Sequence, residues 1–289
     1  MIITNFFGGL GNQMFQYAIG RSVAIKNRDE LLMDISSYNF QELRQFDLSE
    51  FRIEAGIASD NQIQAIIGRT GFVFNFQKKM NFLLPYRSYL KENSFGAFDN
   101  SVFDYKENVY IDGYWQNKKY FEDIRGVLVG EFLLKKSLGE ISTTYLVEIN
   151  NSLSISIHVR RGDYIENKHT NNVHGVCETD YYLKAVKYFR KKFKNAKFFI
   201  FSDDIEWCKA NLSFIKNKTF IENTNSAVED LELMKHCQHN IIANSTFSWW
   251  GAWLGDFKEK NVIAPKYWFS DSRMQEKTSE LVPESWIRV

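Results

Sequence analysis

The second half of the chain alternates short apolar runs with longer segments of helical periodicity. The apolar runs lie at residues 153–159, 197–201, 219–221, 240–243 and 261–264. Between them, residues 180–194 and 227–237 each place apolar side chains on one helical face, with Tyr182, Val186 and Phe189 together in the first. This alternation predicts a doubly wound α/β domain with a parallel sheet, whose ligands bind beyond the carboxyl ends of the strands.

The first 35 residues predict a second unit of the same kind. An apolar run at residues 1–7 is followed by the turn Gly8-Gly9-Leu10-Gly11, a helical segment and another apolar run at residues 31–35. A strand, a glycine turn, a helix and a strand form a parallel βαβ unit. Further strand and helix patterns occur at residues 109–114 and 117–128, whereas residues 38 to about 110 lack sustained periodicity and leave the topology open.

A chain of 289 residues is long enough for two domains, and the polar stretch 135–151 predicts a boundary that gives domains 1–140 and 141–289. The 36 basic residues nearly balance the 35 acidic ones, which excludes a general attraction to nucleic acid. Three cysteines without paired spacings are typical of a reducing compartment. With no signal-like start and no long apolar stretch, the sequence predicts a cytoplasmic protein.

The segment HVRRGDY, residues 158–164, directly follows a predicted strand. Arg160 and Arg161 therefore leave the sheet side by side, and Gly162 permits a sharp turn. Two guanidinium groups suit bidentate contacts with a diphosphate and could neutralise it without magnesium. The alternative is a surface pair that forms salt bridges with nearby carboxylates.

Two neighbours of the arginines carry alternative interpretations. His158 is either a half-buried residue hydrogen-bonded to backbone or a member of the site. Asp163 could act as a base, but two adjacent guanidinium groups would lower its pKa, which favours an orienting salt bridge.

The turn GGLGNQ, residues 8–13, partly resembles the fingerprint of a dinucleotide-binding domain. Gly9 and Gly11 follow a strand, open a helix and precede Asp34 at a suitable distance. However, Met14 occupies the position of the third glycine, and the amide of Asn12 adds a donor that such a turn does not need. We expect this loop to approach a sugar or a phosphate, with a dinucleotide-binding oxidoreductase as the rival.

Three further segments place polar groups near strand ends or helix starts. Asp203 and Asp204 follow a strand; they either hold a divalent cation or, as we favour, cap the next helix or hold the ribose or the arginines. The segment NSTFSWWGAWL opens a helix whose N-terminus is suited to an anion. Its tryptophans are either packed inside, as we favour, or platforms for a sugar. Asp230 lies early in a helix, where it either interacts with the helix dipole or accepts from guanine.

One predicted helix is strongly basic. Its cations are Lys184, Lys187, Arg190, Lys191, Lys192 and Lys194. They suggest peripheral contact with an anionic membrane that carries a lipid-linked acceptor, and the alternative is a solvated helix face.

Together, GGLGNQMFQYA, HVRRGDY, FSDD and NSTFSWWGAWL resemble the bacterial α-1,2-fucosyltransferases of glycosyltransferase family 11. The resemblance implies an α/β, GT-B-like fold of two Rossmann-like doubly wound domains facing a cleft, with an acceptor-side domain first and a GDP-fucose-binding domain second. It further implies GDP-β-L-fucose as the donor, the 2-hydroxyl of a terminal β-galactoside in an oligosaccharide as the acceptor, inversion, and no metal or other cofactor.

By matching position, the resemblance assigns roles to individual residues. Arg160 and Arg161 would bind the β-phosphate, Asp230 would contact guanine and Asn12 would face the fucose. The residues that would line the diphosphate are Ser245, Thr246 and Phe247. For the general base, the loop after the arginines offers Asp163, Glu166, His169 and His174, with Asp163 and His174 favoured. The alternatives to this function are a fucosyltransferase of α-1,6 linkage, the oxidoreductase above, and a nucleotide-sugar-binding module without turnover.

Overall fold

In a computed structural model the chain forms two compact units, Met1–Lys135 and Lys136–Val289. The structure describes residues 1–40, 44–67, 88–105, 107–162, 164, 172–278 and 280–289. The division falls a few residues before the predicted boundary at 140, because the helix at Glu140–Asn150 packs within the second unit. The acceptor-side and donor-side roles of the two domains stay predictions.

The first unit is built on a parallel sheet in the order β3-β2-β1-β5-β4. Its strands are β1 (Ile2–Asn5), β2 (Leu31–Asp34), β3 (Gly56–Ile57), β4 (Tyr89–Lys91) and β5 (Val109–Asp112). Its α-helices among the described residues are α1 (Leu10–Asn27), α2 (Asp60–Ile67) and α3 (Arg125–Glu131). The predicted βαβ opening is confirmed: β1, α1 and β2 follow one another, and β1 pairs with β2 in parallel.

The prediction of a helix at residues 117–128 is wrong for the first half of this range. Short 3-10 helices at Lys118–Tyr120 and Glu122–Ile124 precede α3 instead. The break lies at Phe121, whose φ of −145° is extended. Tyr120 and Phe121 are both buried; neighbouring side chains in a regular helix point in directions about 100° apart, so the break lets both rings reach the core.

The second unit has a parallel sheet in the order β11-β10-β9-β6-β7-β8. Its strands are β6 (Ser154–Val159), β7 (Lys197–Ser202), β8 (Lys218–Phe220), β9 (His239–Ile241), β10 (Val262–Ala264) and β11 (Ile287–Arg288). Its α-helices among the described residues are α4 (Glu140–Asn150), α5 (Thr179–Lys192), α6 (Ile205–Asn211), α7 (Ala227–His236), α8 (Thr246–Leu254) and α9 (Ser272–Lys277). The predicted doubly wound α/β fold is confirmed.

Apolar side chains on both sides of this second sheet hold its helices in place. On one side, α5 buries Tyr182, Val186 and Phe189 as its periodicity predicts. On the other side, Leu233 and Met234 of α7 pack against a cluster that includes Phe199 and Phe201. Two of the tryptophans of α8 are fully buried, which confirms their predicted packing role. Within the described residues, no helix is both long and apolar enough to cross a membrane.

Candidate donor-binding site

The second sheet reverses its chain order between β6 and β9. From β6 the chain continues to β7 and β8 on one side, and from β9 it continues to β10 and β11 on the other. The loops after β6 and β9 therefore diverge, and in open α/β sheets ligands bind in the crevice that forms beyond the strand ends at such a point. The arginine pair follows β6 and segment 244–247 follows β9, so both lie at this crevice.

Asp203, which follows β7, holds the chain where it leaves β6. Its Oδ2 lies 2.9 Å from Nη1 of Arg160, and its Oδ1 accepts a hydrogen bond of 2.9 Å from the backbone N–H of Arg161. A Cβ atom added to Gly162 would lie 2.9 Å from Oδ2 of Asp203. Only a glycine allows this approach without displacing the carboxylate from Arg160.

Trp207 supports the second arginine. The guanidinium carbon of Arg161 lies 4.0 Å from the centroid of the Trp207 ring. Asp204 caps α6 by accepting from the backbone N–H of Trp207 at 3.0 Å, and its Oδ2 is 3.6 Å from Nε of Arg161. Stacking occupies the face of a guanidinium and leaves its in-plane N–H groups available for an anion.

The structure therefore contains the carboxylate pairing of the arginines that was the alternative interpretation of HVRRGDY. It also contains both roles favoured for the acidic pair: Asp204 caps a helix and Asp203 binds an arginine. Groups of three or more metal-ligating side chains do not occur among the described residues.

His158 lies at the end of β6 and is more deeply buried than predicted, with an exposed fraction of 5%. Its Nδ1 has no hydrogen-bond partner within the described part of the chain. Burial, with the charge of Arg160, lowers the pKa of His158 to about 3. The imidazole is therefore neutral at physiological pH, and its ring lies 5.5 Å from that of Phe247.

The N-terminus of α8 forms the other side of the crevice. Ser245 is its N-cap residue and is buried, yet its side chain makes no capping hydrogen bond to the helix. Thr246 is the first helical residue, and Phe247 packs its ring against the cluster around Phe201. The preceding amide of Asn244 donates to the backbone carbonyls of His174, Gly175 and Trp268 at 2.9–3.2 Å, and so fixes where α8 begins.

Asp230 lies in the first turn of α7. Its Oδ1 accepts a hydrogen bond of 2.8 Å from the hydroxyl of Thr224. Burial raises the pKa of Asp230 to about 6, although the bond from Thr224 opposes this rise. A carboxyl group with such a pKa changes its charge just below neutral pH, which is typical of functional sites.

His174 lines a cavity of about 690 Å³ in the second unit. Its ring lies 4.9 Å from the Tyr164 ring, and Tyr164 in turn lies 5.4 Å from the guanidinium carbon of Arg160. The structure thus brings His174 into the neighbourhood of the arginines through Tyr164. The other candidates for the base, Asp163, Glu166 and His169, lie outside the described residues.

In the first unit, Gly8 has a φ of +80° and Gly9 is the N-cap of α1, with Gly11 buried in its first turn. The dinucleotide rival requires a carboxylate free for the ribose. Asp34 is instead buried, and it accepts from the Tyr110 hydroxyl at 2.6 Å and from the backbone N–H of Ser36 at 3.0 Å. Asp34 is therefore already engaged within the fold, which speaks against the oxidoreductase alternative.

Two contacts near the candidate site residues were not predicted from the sequence. Asn12 accepts a hydrogen bond of 3.0 Å from the amide of Gln116, which follows β5, and Trp207 lies beneath Arg161. A signal for Trp207 existed, because Asp204 and Trp207 have the spacing of an N-cap and the N3 position whose N–H it binds. A signal for the Asn12–Gln116 contact did not exist, since it depends on β1 and β5 being neighbours.

Two doubly wound units, with an arginine pair at the switch point of the second, define a GT-B-type glycosyltransferase. The fold is similar to the crystal structure of fucosyltransferase NodZ from Bradyrhizobium, with a TM-score of 0.51 and 14% identity over 86% of this chain and 90% of that chain. The chain belongs to glycosyltransferase family 11, whose family model, described as "Glycosyl transferase family 11", matches residues 1–289.

Relatives by sequence agree with this family. The chain is 33% identical to an Escherichia coli "Alpha-1,2-colitosyltransferase" over 100% of its own length and 99% of the relative. It is 28% identical to the Bos taurus "Galactoside 2-alpha-L-fucosyltransferase SEC1" over 51% of its own length and 42% of that relative.

Proposed function

We propose that this protein is an inverting α-1,2-fucosyltransferase, which transfers L-fucose from GDP-β-L-fucose to the 2-hydroxyl of a terminal β-galactoside. The observation that carries the proposal is the arginine pair, fixed by Asp203 and Trp207 at the switch point and next to the N-terminus of α8. The names of the relatives support the linkage and the galactoside acceptor. The family places the reaction among glycosyl transfers.

In this proposal the second unit binds the donor. Arg160 and Arg161 bind the β-phosphate, and the backbone N–H groups of Ser245, Thr246 and Phe247 add the partial positive charge of a helix N-terminus. Neutral His158 donates to or accepts from the donor without adding charge, Asp203 keeps the arginines in place, and Asp230 accepts from N1 and N2 of guanine.

The reaction is a single displacement. The bond between the anomeric carbon of fucose and the β-phosphate oxygen breaks, and a bond to the galactose O2 forms on the opposite face, which inverts the configuration. The galactose proton passes to His174 or Asp163, and GDP departs with the bonding electrons. Negative charge grows on the β-phosphate, so the two guanidinium groups bind the transition state more tightly than the ground state.

In the first unit, we assign Asn12 and the turn at Gly9 and Gly11 to the fucose. Positive charge on both arginines replaces the divalent cation that many glycosyltransferases use, so we propose that transfer needs no metal. Undiminished transfer in excess EDTA supports this part of the proposal, and loss of transfer that added magnesium restores contradicts it.

A second donor follows from the E. coli relative. Colitose is L-fucose without its 3-hydroxyl, and the whole chain is similar to an enzyme named for colitose. The two sugars share the ring, the methyl group and the anomeric position, so the same arginine pair could serve either nucleotide sugar. A comparison of kcat/KM for GDP-fucose and GDP-colitose with one acceptor decides between them.

The test of the function is a transfer assay with lactose as acceptor. We expect GDP release from GDP-fucose that depends on lactose, a product whose new linkage is α-1,2 by NMR, and a rise in Tm with GDP but not with UDP or NAD. Release of GDP without a fucosylated product, or an α-1,6 linkage, would refute the assignment. Binding of GDP without any turnover would favour the module that only binds nucleotide sugars.

We further propose that α5 contacts the inner face of an anionic membrane that carries a lipid-linked acceptor. Five of its predicted cations are exposed: Lys184, Lys187, Lys191, Lys192 and Lys194. Arg190 does not take part, because it donates to the backbone oxygens of Ala196 and Lys216 and lies against Phe198. Salt-sensitive sedimentation with phosphatidylglycerol vesicles, lost when these lysines are changed to glutamine, tests this contact.

A further inference from the structure

The first sheet has its own switch point, between β1 and β5. The chain continues from β1 to β2 and β3 on one side, while β5 pairs with β4 on the other. The residues that follow these two central strands therefore border a crevice. They are Phe7 and Gly8 after β1, and the segment from Gly113 to Gln116 after β5.

Tyr114 presents an aromatic ring at this crevice. Its exposed fraction is 36%, and the rings of Phe7 and Phe95 lie at steep angles to it, with centroids 4.9 and 5.7 Å away. Two residues further along the chain, the buried amide of Gln116 donates a hydrogen bond of 3.0 Å to Oδ1 of Asn12. A partly exposed aromatic ring is suited to the binding of a sugar ring.

Glu92 holds this segment in an unusual conformation. Its carboxylate accepts from the backbone N–H of Tyr114 at 2.8 Å, from that of Gly96 at 3.2 Å, and from that of Trp115. The residues on either side of Tyr114 have positive φ angles, +151° for Gly113 and +56° for Trp115. Strained backbone of this kind persists only where its surroundings impose it, and such sites are commonly functional.

The charge at this end of the sheet suits a neutral ligand. Carboxylates lie at the ends of three of its strands: Asp34 and Asp112 are the last residues of β2 and β5, and Glu92 follows β4. Arg44 lies beside Gly9. A diphosphate is bound better by the arginine pair of the second unit than near three carboxylates. We therefore assign the uncharged sugar to the crevice of the first unit.

We propose that Tyr114 is the platform on which the galactose of the acceptor stacks, near Asn12, which we assign to the fucose of the donor. One face of a galactopyranose ring carries mainly C–H groups, which pack favourably on the electron-rich face of an aromatic ring. Glu92 is a positioning residue that fixes the direction of this ring. The proposal deepens the proposed function, on which its choice of a β-galactoside rests.

Binding of lactose to the protein saturated with GDP, measured by saturation-transfer NMR, tests the platform without requiring turnover. We expect Tyr114→Ala and Tyr114→Leu to raise the Kd for lactose about twofold to tenfold, the range that one aromatic contact contributes. Leucine keeps apolar volume against Phe7 and Phe95, so this variant guards against loss of folding. Tyr114→Phe should bind as the wild type does.

Tyr105→Ala is the matched control, because Tyr105 is a partly exposed tyrosine shortly before β5, at its opposite end. It should leave the Kd for lactose unchanged, and every variant should keep the Kd for GDP. If transfer occurs, Tyr114→Leu and Glu92→Gln should raise KM for lactose with little change in kcat or in KM for the donor.

An unchanged Kd for lactose in Tyr114→Leu would overturn the platform, as would absence of lactose binding to the wild type or a change confined to donor affinity. A different result would separate the two proposals. If GDP-fucose did not react, but lactose bound to the wild type and not to the Tyr114 variants, the proposed function would be refuted and the sugar platform would stand.

Discussion

Two contacts orient the guanidinium group of Arg161: an aromatic ring lies against its face and a carboxylate lies at its edge. Trp207 lies 4.0 Å from its guanidinium carbon, and Asp204 lies 3.6 Å from its Nε. Lysine would keep the charge but lose the planar group that stacks and binds two oxygens at once. We predict that Arg161→Lys lowers kcat about a hundredfold to a thousandfold, which corresponds to about 2.7 to 4 kcal/mol, with little change in Tm.

Arg190→Lys is the control for this variant. Arg190 also lies against an aromatic ring, at 4.8 Å from Phe198, and it donates to the backbone oxygen of Ala196, away from the crevice. Its replacement should lower Tm and leave kcat near the wild-type value. Near-normal turnover in Arg161→Lys would remove Arg161 from the donor site.

Asp230 gives donor binding a pH dependence. Burial raises its pKa to about 6, and guanine binds the ionised carboxylate, so protons and GDP compete for this group. We predict that the affinity for GDP falls about tenfold between pH 7 and pH 5. Titration calorimetry at both values checks this, and Asp230→Asn should bind weakly with a flat profile between them. A wild-type affinity that does not change with pH would place guanine elsewhere.

Among the helices, α7 and α8 both have a serine as N-cap residue, but only one of the two side chains caps its helix. The hydroxyl of Ser226 accepts from the backbone N–H of Glu229 and so caps α7, whereas Ser245 makes no such bond to α8. Removing a capping hydroxyl costs about 1 kcal/mol. We predict that Ser226→Ala lowers Tm and leaves KM for GDP-fucose unchanged, while Ser245→Ala leaves Tm nearly unchanged and raises this KM severalfold. The opposite pattern would mean that Ser245 serves the helix rather than the diphosphate.

The elements that the sequence predicted well are those with the most buried apolar surface. The helix at Ala227–His236 and the strand at Lys197–Ser202 each end within one residue of the prediction. Parallel strands covered on both faces form continuous apolar runs, which are easy to recognise. Strand β3, Gly56–Ile57, has two exposed residues and no run or alternation, so its sequence carries no signal.

For the candidate site, the sequence predicted which residues lie at the ends of strands, but not which of them are in contact. Sequence patterns placed Arg161 and Asp203 after two strands, and parallel strands bring their carboxyl ends to one edge. The contact itself requires the register of β6 on β7, in which His158 pairs with Phe201. The Tyr114 platform was not predictable from the sequence. The backbone conformation at Tyr114 depends on a hydrogen bond to Glu92, which follows a different strand.

At the scale of the whole molecule, two buried histidines make stability depend on pH. The pKa of His158 is lowered to about 3 and that of His239 to about 4, in each case mainly by burial. The unfolded chain binds protons at these residues near pH 6.5. Their contribution to stability is therefore present above that pH and is lost as pH falls towards the folded values.

We predict that each histidine removes about 2 kcal/mol of stability between pH 7 and pH 5. His239 lies away from the candidate site, stacked 4.6 Å from the Phe193 ring, which makes it the better position to change. Urea unfolding should show a smaller acid-induced loss in His239→Gln than in the wild type. An equal loss in both proteins would show that His239 is not neutral in the fold.

The pairing of β1 with β5 has a consequence for how the chain is made. Ile2 lies against Val109, and in the second unit Ile155 lies against His239, so each central strand has one partner far along the chain. During synthesis, one edge of β1 stays unpaired until β5 has been made. An unpaired apolar strand edge favours aggregation. Slower translation of residues 1–112 should prolong that exposure and so lower the yield of native protein.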